Sequence, residues 1–285
     1  MRIGWLGLGA MGAPMAACLV AAGHSVTAYD VAPGRVPAGA SAAGSVAEAV
    51  TGADAVVVMV ATPGQLDQVL FGSSGAGDAL VSGQTVVIMS TVGPEAVTAA
   101  AARLAEAGVA VVDAPVSGGV TRAGAGDLLI LVGGAAPAVS VVQPLLDTLA
   151  RSAPLVGPSP GDGQRMKLVN QLLCGVHIAA AAEALSFAES LGLDPGECWK
   201  VLRDGAAASF MFDDRGARMV AGTFDEVRSA LDIFVKDMGL VTGAAAEAGA
   251  PVPLSAAARA LYQRGHDQGL GRKDDAALIE VLRDR

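Results

Sequence analysis

The stretch RIGWLGLGAMGAPMAACLVAAGHSVTAYD, residues 2–30, decides the fold of this 285-residue chain. An apolar strand, a glycine-rich turn, an apolar helix and a second strand follow one another within it. Gly7, Gly9 and Gly12 have the G-x-G-x-x-G spacing of a dinucleotide-binding turn. Gly7 permits the tight turn, Gly9 lets a pyrophosphate approach the backbone, and Gly12 lets the helix pack closely on the strand. The alternative is a strand–helix turn that binds no ligand.

The glycine turn and Asp30 together predict a nicotinamide-dinucleotide site. A helix N-terminus offers unpaired N–H groups and a positive dipole end to phosphates. The residues that we assign to NAD binding around this helix start are Gly7, Gly9, Ala10, Met11 and Gly12. Asp30 ends the second strand, where a carboxylate binds ribose hydroxyls and repels a 2′-phosphate, so NAD is expected rather than NADP. Arg35, beyond a Pro-Gly turn, is the one cation that would favour NADP.

Beyond this stretch, short apolar runs alternate with helical segments. Strands are expected at 2–6, 25–29, 55–60, 85–89, 110–112 and 128–132. Helices are expected at 13–22, 46–49, 66–69, 94–107 and 136–149. This alternation predicts an α/β fold, a Rossmann-type doubly wound parallel sheet whose ligands bind at the carboxyl ends of its strands. Thr62 and Thr91 lie in loops at such ends, and Thr62 is assigned to the predicted cofactor site.

The pattern changes at VGPSPG, residues 156–161, where two prolines and two glycines mark a domain boundary. After it, helical spacing predicts one long helix over 164–191. Further helices are expected at 195–202, 212–221, 231–248 and 254–265. We therefore expect an NAD-binding Rossmann domain over 1–161. An all-helical substrate and oligomerisation domain over 162–285 is expected to follow, entered through the long interdomain helix.

Composition restricts the function further. Hydrophobic residues make up 52% of the chain and charged residues 16%, yet the best candidates for a 20-residue membrane span are too short or interrupted by polar residues. The apolar surplus is instead expected in the core of a covered parallel sheet. A net charge of -9 without a basic tract argues against nucleic-acid binding. Neither a membrane nor a nucleic acid is therefore an expected partner.

The cysteines and histidines predict no redox or metal site. Cys18, Cys174 and Cys198 have no C-x-x-C spacing and are expected to be reduced thiols in a cytoplasmic protein. No two of the three histidines have metal-ligand spacing, so no metal is expected.

Three polar residues share one face near the start of the long helix. Lys167, Asn170 and Gln171 stand at i, i+3 and i+4. A cation and two amides in this arrangement suit the binding and protonation of a small polar ligand. A solvated first turn of the helix explains the same pattern equally well.

Four sequence blocks resemble the β-hydroxyacid dehydrogenases, a family that includes 3-hydroxyisobutyrate dehydrogenase. They are GLGAMGAPMA (7–16), DAPVSGG (113–119), GQRMKLVNQLL (163–173) and FVKDMGL (234–240). The resemblance covers nearly the whole chain. Two segments look most like the L-threonate dehydrogenase branch, namely SALDIFVKDMGLV (229–241) and GLGRKDDAALIEVL (269–282).

The resemblance implies roles for matching positions. Lys167 matches the catalytic lysine. The substrate-binding positions that match are Ser117, Gly118, Gly119, Asn170 and Gln171, although some members have asparagine in place of the glutamine. Thr91 matches a residue near the nicotinamide ribose, and Lys236 matches a lysine that reaches the cofactor. Phe234 is assigned to the nicotinamide pocket, with a place in the core as the alternative, and Asp237 is expected to be structural.

The implied function is NAD-dependent hydride transfer to or from a small hydroxyacid, with Lys167 as general acid and base. The substrate candidates are 3-hydroxyisobutyrate, tartronate semialdehyde or glycerate, and four-carbon sugar acids such as L-threonate. A homodimer or homotetramer is expected. The alternatives are an imine reductase-like enzyme, which generally lacks a lysine at this helix position, and a non-catalytic NAD-binding protein.

Overall fold

The computed structural model describes residues 1–283, with Asp78 described by its backbone alone. The chain divides into two compact units, Met1–Lys167 and Leu168–Arg285. The first unit is built on a β-sheet, and the second is built of helices. This organisation confirms the predicted fold class of a Rossmann-type domain followed by a helical domain.

The first unit contains eleven strands. They are β1 Arg2–Leu6, β2 Ser25–Tyr29, β3 Ser41–Ala42, β4 Ala55–Val58, β5 Thr85–Ile88, β6 Ala110–Asp113, β7 Val116–Ser117, β8 Leu128–Ile130, β9 Val132–Gly133, β10 Ala150–Ser152 and β11 Leu155–Gly157. Eight of them form one sheet in the order β11-β9-β6-β5-β4-β1-β2-β3, and β10-β8-β7 form a small second sheet. At the centre, Trp5 of β1 pairs with Ala28 of β2 and Val57 of β4.

The main sheet has an apolar core on each face. All four residues of β4 are buried, as expected for a central parallel strand covered on both sides. Because side chains alternate along a strand, Val57 enters one core with Trp5, whereas Val56 and Val58 enter the other. The apolar surplus of this half of the chain therefore lies in two layers around one sheet.

Two features of the sheet differ from the sequence-based expectation. The sheet is not fully parallel, because β6 and β9 pair antiparallel through Asp113 and Gly133. The strand expected over 128–132 is two short strands in different sheets, β8 and β9. Leu131 lies between them, where its N–H donates to the carbonyl of Pro115. Hydrophobicity alone does not reveal such a change of partner, since both strands are apolar.

Helices cover the sheet of the first unit. They are α1 Gly12–Ala21, α2 Val46–Val50, α3 Pro63–Phe71, α4 Pro94–Glu106, α5 Gly119–Gly124 and α6 Ala136–Leu149, with a short 3₁₀ helix at Gly77–Ala79. Proline lies in the first turn of α3, α4 and α6, where its missing N–H costs no helical hydrogen bond. Thr62 starts α3 through a capping box with Gln65.

The second unit is a helical bundle. Its elements are α7 Asp162–Ser190, which begins in the first unit, α8 Pro195–Leu202, α9 Phe210–Ala221, α10 Leu231–Glu247, α11 Pro253–Asp267, a 3₁₀ helix at Asp275–Ile279 and α12 Glu280–Arg283. The bundle core contains Ile178, Met238 and Tyr262. Gly175 allows α7 and α10 to approach closely, since a Cβ there would lie 2.3 Å from the sulfur of Met238.

By length and composition, α7 is apolar enough to cross a membrane, a test that core helices of soluble proteins also pass. Ile178, Ala182 and Leu185 of this helix are buried in the core of the second unit. We therefore interpret α7 as a core helix.

Candidate active site

The glycine turn after β1 is closely packed at two of its three glycines and open at the third. A Cβ on Gly7, whose φ is +100°, would lie 2.3 Å from the carbonyl oxygen of Met59. A Cβ on Gly12 would lie 2.1 Å from the carbonyl oxygen of Gly7. At Gly9, by contrast, a Cβ would meet no described atom within 4 Å. Gly7 and Gly12 are therefore required by packing, whereas Gly9 faces open space.

The start of α1 suits an anion. Among the described residues, no side chain caps the helix at Met11, and its first turn contains no acidic residue. Ala10 and Met11 form the turn into this helix. The turn is also held by a side chain of β1, because the indole Nε1 of Trp5 donates to the carbonyl of Gly7 at 2.8 Å. A rigid turn with an uncapped helix N-terminus fits the pyrophosphate of a dinucleotide.

Asp30 is held beside this turn. Its Oδ2 accepts a hydrogen bond from the N–H of Leu8 at 2.6 Å, and its Oδ1 accepts one from the N–H of Ala32 at 2.7 Å. The guanidinium of Arg35 lies 3.7 Å from Oδ1. The predicted ribose-binding carboxylate is therefore anchored to the glycine turn, and Arg35 is already paired with it.

The loops after β4 and β5 are tied to each other. The hydroxyl of Ser90 accepts from the N–H of Val60 at 2.7 Å and donates to the carbonyl of Val58 at 3.3 Å. Thr62 follows at the start of α3, and Thr91 follows Ser90 directly. Two predicted cofactor residues therefore lie in loops that one buried serine joins.

The end of β6 holds the start of α7. Asp113 is fully buried, and its Oδ2 accepts from the N–H of Gln164 at 2.8 Å. Burial raises the pKa of Asp113 to about 6, although hydrogen bonds from the N–H groups of Gln164 and Gly161 act in the opposite direction. One helical turn beyond Gln164 lies Lys167, whose side chain is buried, with 5% of the residue exposed.

The predicted carboxylate loop requires its glycines. Gly118 has a φ of +146° and Gly119 a φ of +76°, both in the region that side chains disfavour. Ser117 ends β7 and pairs with Leu129 of β8, which fixes the loop to the small sheet. The first unit therefore places Thr91 in the loop after β5, Ser117 at the end of β7, and Lys167 on the helix start that the end of β6 holds.

In the second unit, α7 and α10 share a polar network. Gln171 donates through Nε2 to Oδ2 of Asp237, and its Oε1 accepts from Nδ2 of Asn170 at 2.8 Å. Nζ of Lys236 lies 2.8 Å from Oδ1 of Asp237. Sequence reasoning gave Asp237 only a structural place, yet this buried carboxylate links Gln171 to Lys236.

Phe234 lies apart from this network. It is buried in the bundle core and stacks on Tyr262 with ring centroids 5.3 Å apart. Phe234 and Lys236 are two positions apart on α10 and therefore do not face the same side. Its contacts match the core interpretation, and a role in the nicotinamide pocket stays a prediction.

Sequence reasoning missed Asp113 and Gln164. Both lie inside quoted motifs, DAPVSGG and GQRMK, but neither belongs to a pattern that predicts chemistry. No local pattern in the sequence marks either residue, because what distinguishes them is their burial and their contact across distant segments. Among the described residues, no group of three histidine, cysteine or acidic side chains is arranged to hold a metal.

Two family profiles match the chain. Residues 2–157 match the NAD-binding domain of 6-phosphogluconate dehydrogenase. Residues 161–282 match the NAD-binding family of NADP-dependent 3-hydroxyisobutyrate dehydrogenase.

Individual proteins are similar over the full length. L-threonate dehydrogenase of Cupriavidus necator is 40% identical over 99% of this chain and 96% of its own. The 2-hydroxy-3-oxopropionate reductase of Escherichia coli is 34% identical over 99% of this chain and 97% of its own. The crystal structure of 3-hydroxyisobutyrate dehydrogenase from Salmonella typhimurium has a TM-score of 0.93 at 35% identity, with 99% of both chains covered.

These matches confirm the expectation of a nicotinamide-dependent oxidoreductase. Both halves of the chain are covered, in the expected order. The chain belongs to the β-hydroxyacid dehydrogenase family, in its 3-hydroxyisobutyrate dehydrogenase-like group.

Proposed function

We propose that the chain is an NAD-dependent dehydrogenase of a small hydroxyacid, with Lys167 as the proton-transfer group. The observation that carries this proposal is the burial of Lys167 one turn beyond Gln164, on a helix start held at the carboxyl end of β6. Lysine is almost never fully buried unless its charge is paired. A solvated first turn, the alternative at this position, leaves such an amine exposed.

The bound nicotinamide would supply the hydride chemistry, and the protein supplies positioning and a proton. In oxidation, the neutral amine of Lys167 accepts the proton of the substrate hydroxyl. In reduction, its ammonium form returns a proton to the new hydroxyl oxygen. Because the side chain is buried, this exchange occurs with the substrate rather than with bulk water.

The substrate is proposed to be a small acid that carries a carboxylate and several hydroxyls. The main chain of Gly118 and Gly119 and the hydroxyl of Ser117 would bind the carboxylate. Asn170 and Gln171 would orient the hydroxyls, and their amides are held in one orientation by the chain of hydrogen bonds that ends at Asp237. The two L-threonate-like segments and the 40% identical relative favour a four-carbon sugar acid.

The cofactor is proposed to be NAD rather than NADP. Gly7, Gly9 and Gly12, with the main chain of Ala10 and Met11, would bind the pyrophosphate, and Asp30 the adenosine ribose. The supporting observation is that Asp30 is anchored by two N–H groups beside the turn, which keeps its negative charge where a 2′-phosphate would lie. We assign Thr62, Thr91, Phe234 and Lys236 to the same cofactor as further contacts.

We divide the proposed functions at residue 161, with cofactor binding in 1–161 and substrate binding and oligomerisation in 162–285.

A homodimer or homotetramer is proposed, because α7 exposes the apolar side chains of Leu173 and Phe187 together with Leu191 just beyond its end. Light scattering coupled to size exclusion tests this, with Phe187→Glu expected to yield a smaller particle.

A cytoplasmic location completes the proposal. Among the described residues no disulfide joins Cys18, Cys174 and Cys198. Neither a nucleic acid nor a membrane is a proposed partner.

The experiment that tests the function is a panel of hydroxyacids with NAD, followed by NADH absorbance. L-threonate, D-glycerate and 3-hydroxyisobutyrate serve as substrates for oxidation, and tartronate semialdehyde is assayed with NADH in the reverse direction. Turnover of at least one of them is expected. Clear NADH binding without turnover of any would favour the non-catalytic alternative.

A further inference from the structure

The first turn of α7 is hydrogen-bonded to the loop after β5 and to the end of β6, and it packs closely against β9. Gln164 is 1% exposed, and its Oε1 accepts from the N–H of Val92 at 3.0 Å and from that of Gly93 at 3.2 Å. Its Nε2 donates to the carbonyl of Ser90 at 3.0 Å. The Gln164 side chain therefore forms hydrogen bonds with the backbone on both sides of Thr91, in the loop after β5.

A second attachment comes from β6, and β9 lies close beside it. Asp113 accepts from the N–H of Gln164, an N–H in the first turn of α7 that no helical carbonyl satisfies. The approach is close enough to require glycine on both sides. A Cβ on Gly133 would lie 2.4 Å from Oδ1 of Asp113, and a Cβ on Gly163 would lie 2.3 Å from the carbonyl oxygen of Leu131.

Lys167 depends on these attachments. It lies three positions beyond Gln164, so both side chains project from the same helix face. A rigid helix transmits any tilt or slide of its first turn to the next turn. A shift of about 1 Å at a reacting group is enough to lower a rate by about 100-fold.

We propose that Asp113 and Gln164 are positioning residues that fix the amine of Lys167 relative to the loops bearing Thr91 and Ser117. The proposal rests on the proposed function in one respect, the assignment of proton transfer to Lys167. Neither residue touches substrate or cofactor in this account. Each acts through the helix start that carries the lysine.

Gln84 provides a matched control for a purely structural role. It is also a buried glutamine of the first unit that makes three hydrogen bonds to the backbone. Its Nε2 donates to the carbonyls of Val50 and Ala53, and its Oε1 accepts from the N–H of Val81. It precedes β5, however, and therefore lies at the opposite end of the strand from Gln164.

The test compares Gln164→Met with Gln84→Met. Both variants lose three hydrogen bonds, so a similar fall in melting temperature is expected. Gln164→Met is expected to lower kcat by about 10- to 100-fold with KM changed by less than about threefold, while Gln84→Met keeps the parent kcat. Equal kcat values for the two variants would overturn the proposal.

A second readout is independent of turnover. Competitive labelling of lysines with acetic anhydride, quantified by mass spectrometry, measures how exposed each amine is. Lys167 is expected to react faster in Gln164→Met than in Gln84→Met, while exposed Lys200 reacts equally in both. An unchanged labelling rate of Lys167 would contradict a displaced amine.

A conservative variant covers the case in which Gln164→Met does not fold. Gln164→Glu keeps the oxygen that accepts from Val92 and Gly93 but loses the donor to Ser90. A kcat between those of the parent and the Lys167→Ala variant is expected, and a parent-like kcat would contradict the proposal.

The two proposals fail in different ways. If Lys167→Ala keeps full turnover, the proposed function of the lysine is wrong, whatever Gln164 does. If Lys167→Ala is inactive and Gln164→Met retains both the parent kcat and the parent labelling rate, only the positioning proposal is wrong.

Discussion

Oδ2 of Asp30 lies 2.6 Å from the main-chain nitrogen of Leu8, the residue between the first two glycines of the cofactor turn. The carboxylate therefore holds the turn, and we propose that its charge also selects the cofactor. Arg35 is 3.7 Å from the other carboxylate oxygen, Oδ1, and becomes an unpaired cation when that charge is removed.

Asp30→Asn is expected to shift cofactor preference towards NADP. The ratio of kcat/KM for NAD to that for NADP should fall by about tenfold or more, because the charge that repels the 2′-phosphate is removed. A tenfold change corresponds to about 1.4 kcal/mol of binding free energy. Steady-state assays with both cofactors measure it. In Asp30→Asn/Arg35→Ala the gain for NADP should disappear, and an unchanged ratio in Asp30→Asn would contradict the assignment.

Gly9 and Gly12 are expected to differ in what their substitution damages. Gly9→Val adds a side chain in open space, so the melting temperature should stay near that of the parent while NADH binding weakens by about tenfold or more. Gly12→Ala should instead lower the free energy of unfolding by about 1–3 kcal/mol, because its Cβ collides with the carbonyl of Gly7. Fluorescence titration and thermal melting separate the two, and normal NADH binding by Gly9→Val would show that the open space is not the cofactor site.

The ionisation of Asp113 is expected to make stability depend on pH. Its pKa is about 6 in the folded protein because burial disfavours the carboxylate, against 3.8 for an ordinary aspartate. The folded state therefore binds more protons between these values, and this contribution to stability falls as pH rises.

Relative to Asp113→Asn, the parent should lose about 2 kcal/mol of unfolding free energy between pH 4.5 and pH 7.5. Urea unfolding at a series of pH values measures this difference. Parallel pH dependences for the two proteins would show that Asp113 ionises as an ordinary aspartate.

Arg218 in α9 is expected to be essential for the fold of the second unit. Its Nη1 lies 2.6 Å from Oδ1 of Asp274, which is fully buried, and its Nη2 lies 2.7 Å from Oδ2 of Asp214. Arg218→Met leaves a buried carboxylate without its cation and should cost about 3–5 kcal/mol.

A control for this prediction is Lys200→Met, which removes an exposed ion pair with Glu197 and should leave the urea midpoint unchanged. Equal midpoints for the two variants would mean that the buried cluster contributes no more than a surface pair.

Much of the fold follows from local signals. The run from Arg2 to Asp30 combines strand periodicity, the three glycines and an acidic residue at the second strand end, and together these predict the first βαβ unit. Helix starts follow less directly from hydrophobic spacing, as in α3, which begins at Pro63 rather than Leu66 because Thr62 and Gln65 form a capping box. The turn of the chain at Leu131 could not be predicted, since it depends on which distant strand each apolar segment meets.

The candidate site is predictable only in part. Lys167, Asn170 and Gln171 share a helix face, which spacing alone reveals. Asp237 and Asp113 depend on contacts 66 and 51 positions away along the chain, and no local pattern encodes such distances. Both carboxylates are buried, and each accepts a hydrogen bond from α7: Asp113 from Gln164 and Asp237 from Gln171.

In the proposed function, Lys167 transfers the proton in an NAD-dependent reaction of a hydroxyacid. Its most direct test is kcat of Lys167→Ala with the best substrate of the hydroxyacid panel, together with the dissociation constant for NADH. We predict that kcat falls by at least about 100-fold while NADH binding changes by less than about threefold. Turnover near the parent rate, or loss of NADH binding, would contradict the account.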